Sequence, residues 1–197
     1  MFITFEGLDG SGKTTQARLL AERLRAGERE VVSTREPGGT PLGEEIRALV
    51  LHGGHVAPWA EAALYAAARA QHVGEVIRPA LERGAIVISD RYIDSSLAYQ
   101  GIARGLGVDA VLELNLVAVG GLLPERTVLL EIGVAAHAER LGRSLDRIER
   151  EGREFHARVT QAYTELARRF PDRYVVLDGL RPAAELADEI ADLLVPA

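Results

Sequence analysis

Cysteine is absent from the 197-residue chain, and lysine and asparagine occur once each, as Lys13 and Asn115. Without cysteine no disulfide framework and no thiolate metal site is possible, which fits a reducing compartment. No cationic and apolar leader precedes the first expected strand, and no uncharged apolar run reaches ~18 residues, so the expectation is a cytoplasmic protein with no membrane partner. A basic tract interleaved with aromatics is also missing and the net charge is −6, which argues against nucleic acid as a partner. Methionine is confined to position 1. The scarcity of Asn, Met and Cys beside abundant Arg fits a thermophilic source and a GC-rich genome equally well.

What remains is enough for one well-buried α/β domain over residues 1–197. Short apolar runs alternate with helical periods, the pattern of βαβ units and a parallel sheet. "FITFEG", "VVSTRE", "AIVISD", "TVLLEI" and "YVVLD" read as five strands, with "AIVISD", the most apolar, expected at the centre. Helices are expected from about Lys13 to Ala26, near Glu44–Leu51, and from Pro58 to a glycine cap at Gly84. Residues 142–154, "GRSLDRIEREGRE", are charge-dense without a clear apolar face and read as an excursion from the core.

The lone lysine lies in "GLDGSGKT", which fits G-x-x-x-x-G-K-[ST] between an expected strand and an expected helix. Gly7, Gly10 and Gly12 let successive N–H groups converge on one anion, and the helix N-terminus adds partial positive charge. Between the β- and γ-phosphate oxygens only a compact ammonium fits, because a guanidinium is bulkier and rigidly forked. Every other member of the Lys and Arg set is arginine, and only position 13 carries a side-chain ammonium. The Thr14 hydroxyl is a candidate Mg²⁺ ligand. The pattern points to a nucleoside triphosphate without naming the reaction.

Three classes of phosphate-binding protein compete. A GTPase needs an Asn-Lys-x-Asp base reader, and the single lysine is already placed. An ATPase motor usually carries Glu after the Asp that closes its central strand, where "SDRY" has Arg91. A kinase needs cationic clamps and a lid that excludes water. Arg143, Arg147, Arg150 and Arg153 in the 142–154 segment are candidates for that lid, the alternative being a solvated helix end. Arg91, just past a strand end where open α/β sheets bind ligands, can hold a phosphate bidentately. Asp90 has two open readings, the outer shell of Mg²⁺ or a structural hydrogen bond. No metal-ligand spacing links His52, His55, His72, His137 and His156, which read as ordinary.

"FITFEGLDGSGKTT", "TREPGGTPLGEEIR", "LYAAARAQHV", "SDRYIDSSLAYQG" and "LDRIE" occur in the order that resembles the bacterial thymidylate kinases, across nearly the whole chain. The resemblance implies a P-loop nucleoside monophosphate kinase fold: an α/β five-stranded parallel sheet flanked by helices, with a short lid. It also implies a homodimer and ATP–Mg²⁺-dependent phosphorylation of dTMP to dTDP. The ATP loop would be Gly7, Leu8, Asp9, Gly10, Ser11, Gly12, Lys13 and Thr14, with Thr14 and Asp90 on the metal. Lys13, Arg91, Arg143 and Arg147 would be catalytic, the last two as lid arginines acting on the transferring group. The segment between "ERLG" and "LDRIE" is shorter than in many relatives, which leaves open which lid arginine reaches that group.

Toward the acceptor, the family places Asp9 near the nucleotide, Glu36 on the deoxyribose side, Arg47 and Arg91 at the phosphate, and Tyr99 against the sugar's 2′ carbon. Tyr65 and Arg69 are four apart and share a helix face. The resemblance has Tyr65 stack on thymine and Arg69 bond its O4, while a packed ring with an arginine stem over it is the bland alternative. Ser96 and Gln100, also four apart, together suit an imide edge of alternating acceptor, donor and acceptor.

Overall fold

The computed structural model describes residues 1–140 and 145–194. Five strands, β1 (Phe2–Glu6), β2 (Val31–Arg35), β3 (Ile86–Asp90), β4 (Arg126–Glu131) and β5 (Tyr174–Asp178), form one parallel sheet in the order β2-β3-β1-β4-β5. The expected strands are all present, but β1 and not β3 takes the middle. β3 is interior and nearly all buried, so its apolarity reports burial on both faces and not central position. The pairing Phe5↔Asp90 sets the carboxyl ends of β1 and β3 side by side. The residues that follow those two ends, the glycine loop and Arg91, are therefore neighbours in space.

The period-2 alternation of β1 divides the core. Ile3 and Phe5 pack with Leu20 and Leu24 of α1 (Lys13–Ala26) and with Leu186 and Ile190 of the C-terminal helix Ala183–Leu194. Phe2 faces the other way, against Val73, Ile77 and Tyr92. Thr4 and Glu6 alternate onto Phe2's side and are fully buried, so that side carries a polar network where the first is dry.

Local chemistry moves two helix boundaries. α2 (Pro41–His52) begins three residues earlier than expected, because the Thr40 hydroxyl accepts from Gly43 N–H at 3.0 Å and Pro41 suits the first turn. The long helix starts at Pro58 as α3 (Pro58–His72), widens into a π turn at Val73–Ile77, and resumes as α4 (Arg78–Glu82). Pro79 explains the widening: it has no N–H and its ring would collide with the carbonyl four residues back. After β3 come α5 (Ile93–Ser96), a second π stretch at Leu97–Ala103 and α6 (Val108–Val119). After β4 come α7 (Val134–Arg140) and α8 (Arg153–Arg169), and the helix Ala183–Leu194 is α9. Among the described residues no helix is long and apolar enough to cross a membrane.

Candidate active site

The glycine loop closes over the end of β1. Gly7 (φ 134°) approaches so closely that a Cβ there would lie 2.4 Å from the Leu130 carbonyl oxygen. Gly12 (φ 98°) opens α1 without a side-chain cap, which leaves that helix's first N–H groups for an anion. Asp9, Gly10, Gly12, Lys13 and Thr14 line a cleft that encloses about 1860 Å³, part of it open to solvent. Gly7, Leu8 and Ser11 are buried beneath and shape the loop through their backbone, with Ser11 N–H donating to the Leu8 carbonyl at 3.1 Å.

Lys13 is 5 % exposed; its Nζ donates to the Leu8 carbonyl at 2.8 Å and lies 3.7 Å from Asp9. Burial, reinforced by the charge of Arg91, pushes its pKa down to about 8 against the pull of Asp9. Asp9 lies 2.7 Å from Arg91 Nη2. Burial on its own would raise the Asp9 pKa, but Arg91 and Lys13 outweigh it and hold the carboxyl well below the usual range. The acid inside the phosphate loop is thus neutralised by two cations.

Arg91 has φ 72°, a left-handed conformation that costs a non-glycine residue energy and is found where function demands a particular side-chain direction. Its guanidinium also donates to Ser95 Oγ at 3.0 Å and Tyr163 Oη at 3.3 Å, and it lies over the Tyr99 ring at 5.5 Å. Thr14 Oγ1 donates to the Asp90 carboxylate across the β1–β3 junction. A hydroxyl and a carboxylate are hard oxygen donors of the kind Mg²⁺ takes alongside phosphate and water. Among the described residues no cluster of three acidic, His or Cys side chains would hold a metal unaided. The Thr14 hydroxyl and Asp90 carboxylate suit an ion that also takes phosphate oxygens.

All nine residues expected at the acceptor, namely Asp9, Glu36, Arg47, Tyr65, Arg69, Arg91, Ser96, Tyr99 and Gln100, line a second pocket of about 570 Å³. Asp9, Glu36, Arg47 and Arg91 line the phosphate cleft as well, so the two spaces adjoin. Several of these side chains bond one another. Arg69, 2 % exposed, donates from Nε to Glu36 at 2.6 Å, from Nη1 to Ser96 Oγ at 3.1 Å and to Asn115 Oδ1, and from Nη2 to the Tyr92 carbonyl at 3.1 Å. Arg47 donates to the Pro37 carbonyl at 3.0 Å, beside a cis Glu36–Pro37 bond.

The lid expectation divides. Arg143 lies outside the described residues. Arg147 is not brought to either pocket: its Nη2 donates to Glu61 at 2.6 Å and its Nε to the Val50 carbonyl at 2.7 Å. A fully buried carboxylate attracts the guanidinium more strongly than an open cleft does. The neighbours Asp146 and Ile148 line the second pocket, so the described part of this segment borders it.

Several partners escaped the sequence reading, among them Ser95 and Tyr163 on Arg91 and Asn115 on Arg69. His72, read as ordinary, is fully buried between Glu36 (2.9 Å) and Thr34 (2.6 Å) and braces the acceptor carboxylate. Glu6 accepts from Tyr92 N–H (2.8 Å), Ser95 Oγ (2.6 Å) and Tyr163 Oη (2.9 Å), fixing the turn that carries Arg91. His137 Nδ1 donates to the Asp9 carbonyl at 2.8 Å, with its ring 4.5 Å from that of His156. Arg140 Nη1 donates to the Gly10 carbonyl at 2.9 Å. An acidic residue closing the mostly apolar strand FITFE was the one signal in the sequence, and it pointed only to Glu6.

A phosphate loop between β1 and α1, at the carboxyl edge of a β2-β3-β1-β4-β5 parallel sheet and adjoining a nucleotide-sized pocket clamped by arginine, defines a P-loop nucleoside monophosphate kinase. A sequence model described as thymidylate kinase matches residues 5–190. The chain is 55 % identical over 194 residues to a thymidylate kinase of Leifsonia xyli subsp. xyli, covering 96 % of this chain and 92 % of that one. To a thymidylate kinase of Pelotomaculum thermopropionicum it is 52 % identical, covering 91 % of this chain and 86 % of the relative. The crystal structure of thymidylate kinase from Ehrlichia chaffeensis superposes with a TM-score of 0.81 at 34 % identity, covering 98 % of each chain. The chain belongs to the thymidylate kinase family.

Proposed function

We propose that the enzyme transfers the γ-phosphoryl group of ATP to dTMP, with the triphosphate on the glycine loop and dTMP in the adjoining pocket. Phosphorylation of dTMP to dTDP follows from membership of the family at this identity and coverage. We extend this to the donor, the metal and the residue roles. The observation that carries it is the shared wall of the two pockets, where Asp9 and Arg91 face both. That arrangement supports an acceptor phosphate held by Arg91 in line with a γ-phosphate on Lys13, where positioning and charge neutralisation do most of the catalytic work.

In this reading Lys13 neutralises β- and γ-oxygens, Arg47 and Arg91 hold the acceptor phosphate, and Asp9 keeps Arg91 aimed. Tyr65 stacks on the base, Arg69, Ser96 and Gln100 read its edge, Glu36 lies on the sugar side and Tyr99 crowds the 2′ carbon. Thr14 and Asp90 would hold Mg²⁺, which when bound neutralises phosphate charge. Arg143 keeps the role proposed for it at the transferring group. Arg147 is reassigned, since its bonds to Glu61 and Val50 support closing the acceptor pocket. We further propose one kinase domain across the chain that works as a cytoplasmic homodimer, without nucleic acid or membrane as partner. Leu49, Trp59 and Val117, exposed on α2, α3 and α6, of which α3 packs against both others, support the dimer.

Labelled ATP offered with a panel of monophosphates tests the reading. The expected order is dTMP, then dUMP, then the ribose analogue of dTMP, with dCMP poorest of the pyrimidines. Loss of the 5-methyl group should cost roughly 1–3 kcal/mol if it fills an apolar pocket. AMP or dCMP outperforming dTMP would overturn the base-reading roles.

A further inference from the structure

We propose that Glu61, which lines neither pocket, is the positioning residue that decides which end of the Gln100 amide the acceptor site presents, and thereby selects bases that carry a proton on N3. The inference rests on the reading of that pocket as the acceptor site.

Glu61 stands on α3, fully buried, and accepts from Gln100 Nε2 at 2.8 Å. An ionised carboxylate can only accept, so it takes the NH₂ end of the amide and turns the carbonyl end away. This chemistry also resolves the amide's orientation, which heavy-atom positions alone leave ambiguous. Gln100 is 2 % exposed and borders the acceptor pocket, and among the described residues its one side-chain hydrogen bond is that from Nε2 to Glu61, which leaves Oε1 for the pocket. The pocket is therefore offered an acceptor. The N3–H of thymine or uracil can donate to it, whereas N3 of cytosine brings a second acceptor against it.

Two guanidiniums balance the charge that this requires. Arg147 Nη2 lies 2.6 Å from Glu61 Oε2, and Arg104 Nε lies 3.3 Å from Oε1 while its Nη1 pairs with Glu151 at 2.6 Å. Arg104 Nη2 adds a contact to Oε2 at 3.4 Å. A neutral glutamine at position 61 would pack in the same space, but it could give or take a hydrogen bond and so would let the Gln100 amide turn over. Burial of an ion with two counter-ions is an expensive way to hold one amide unless the orientation matters.

The test is kcat/KM for dTMP and dCMP, with ATP, in the wild type and in three variants whose folding is checked by thermal melting. Glu61→Gln should lower the preference for dTMP over dCMP by about tenfold or more, through the acceptor's KM, with the KM for ATP changed less than about twofold. Glu61→Asp, still acceptor-only, should keep the preference within about threefold of wild type. A preference unchanged in Glu61→Gln, whatever its overall activity, would reduce Glu61 to a structural group and overturn the proposal. If Glu61→Gln does not fold, Gln100→Leu decides: the preference should collapse, and its survival would equally overturn the proposal. A wild type that does not favour dTMP over dCMP would instead remove the reading of the pocket itself.

Discussion

The glycine loop is made from eight consecutive residues, 7–14, and offers backbone N–H groups, a helix end and one ammonium. The acceptor pocket draws on side chains from Asp9 to Ile148 in the chain, and many of them bond one another before any ligand is considered. Arg69 is held by Glu36, Ser96, Asn115 and Tyr92, and Glu36 by Arg69 and His72. One region offers backbone N–H groups and one ammonium to a ligand, while the other is a network of side chains bonded to one another. A charge-preserving change at Lys13 should damage activity with little effect on stability, and changes in the pocket network should damage both.

The largest expected effect breaks the pocket. Glu36→Ala leaves Arg69 buried without its carboxylate and should lower unfolding free energy by about 3–5 kcal/mol, read by urea denaturation. A loss below about 1 kcal/mol would mean that the pocket is no more integral to the core than the loop is.

Lys13→Arg is the matching change in the loop. It keeps the charge and should leave the urea midpoint nearly unchanged, while kcat falls at least ~10²-fold, roughly 3 kcal/mol of misplaced transition-state stabilisation. Near-normal turnover would remove the explanation for the single lysine.

Glu6 links the two regions beneath Arg91 and supplies a pH signature. Burial first, then the charge of Asp94, raise its pKa from 4.5 to about 7, with Arg91 opposing. Between those values the folded protein holds a proton that the unfolded chain has released, so this residue's contribution to stability falls as pH rises from about 4.5 to 7. Its size is on the order of 2–3 kcal/mol. The stability of Glu6→Gln relative to wild type should therefore increase across that window when both are unfolded in denaturant at several pH values. A flat difference would show that Glu6 does not titrate there.

The smallest effect concerns a buried ring in the pocket wall. Tyr99→Ala should narrow the preference for dTMP over its ribose analogue by at least ~1 kcal/mol, because the crowding of the 2′ position is relieved. The dTMP/dCMP ratio should hardly move, and a parallel fall in both ratios would mean that Tyr99 acts by general collapse of the site.

The features readable along the chain are those with a local cause. A strand shows its burial, a glycine loop its turn and a lysine among arginines its slot, so the five strands, the loop and the start of α1 could be placed from composition and spacing. Thymidylate kinase resemblance extended that to the nine acceptor residues, which reach one pocket because the sheet order brings strand ends together. Partnership over long sequence distances came from the folded arrangement alone. His72 finds Glu36 at a separation of 36 residues, Arg147 finds Glu61 at 86, and Tyr163 finds Glu6 at 157. A buried charge goes to whichever counter-charge the fold sets beside it, and no periodicity records that choice. For the same reason Arg147 could be read as a lid arginine in the sequence and yet lie on Glu61 in the fold.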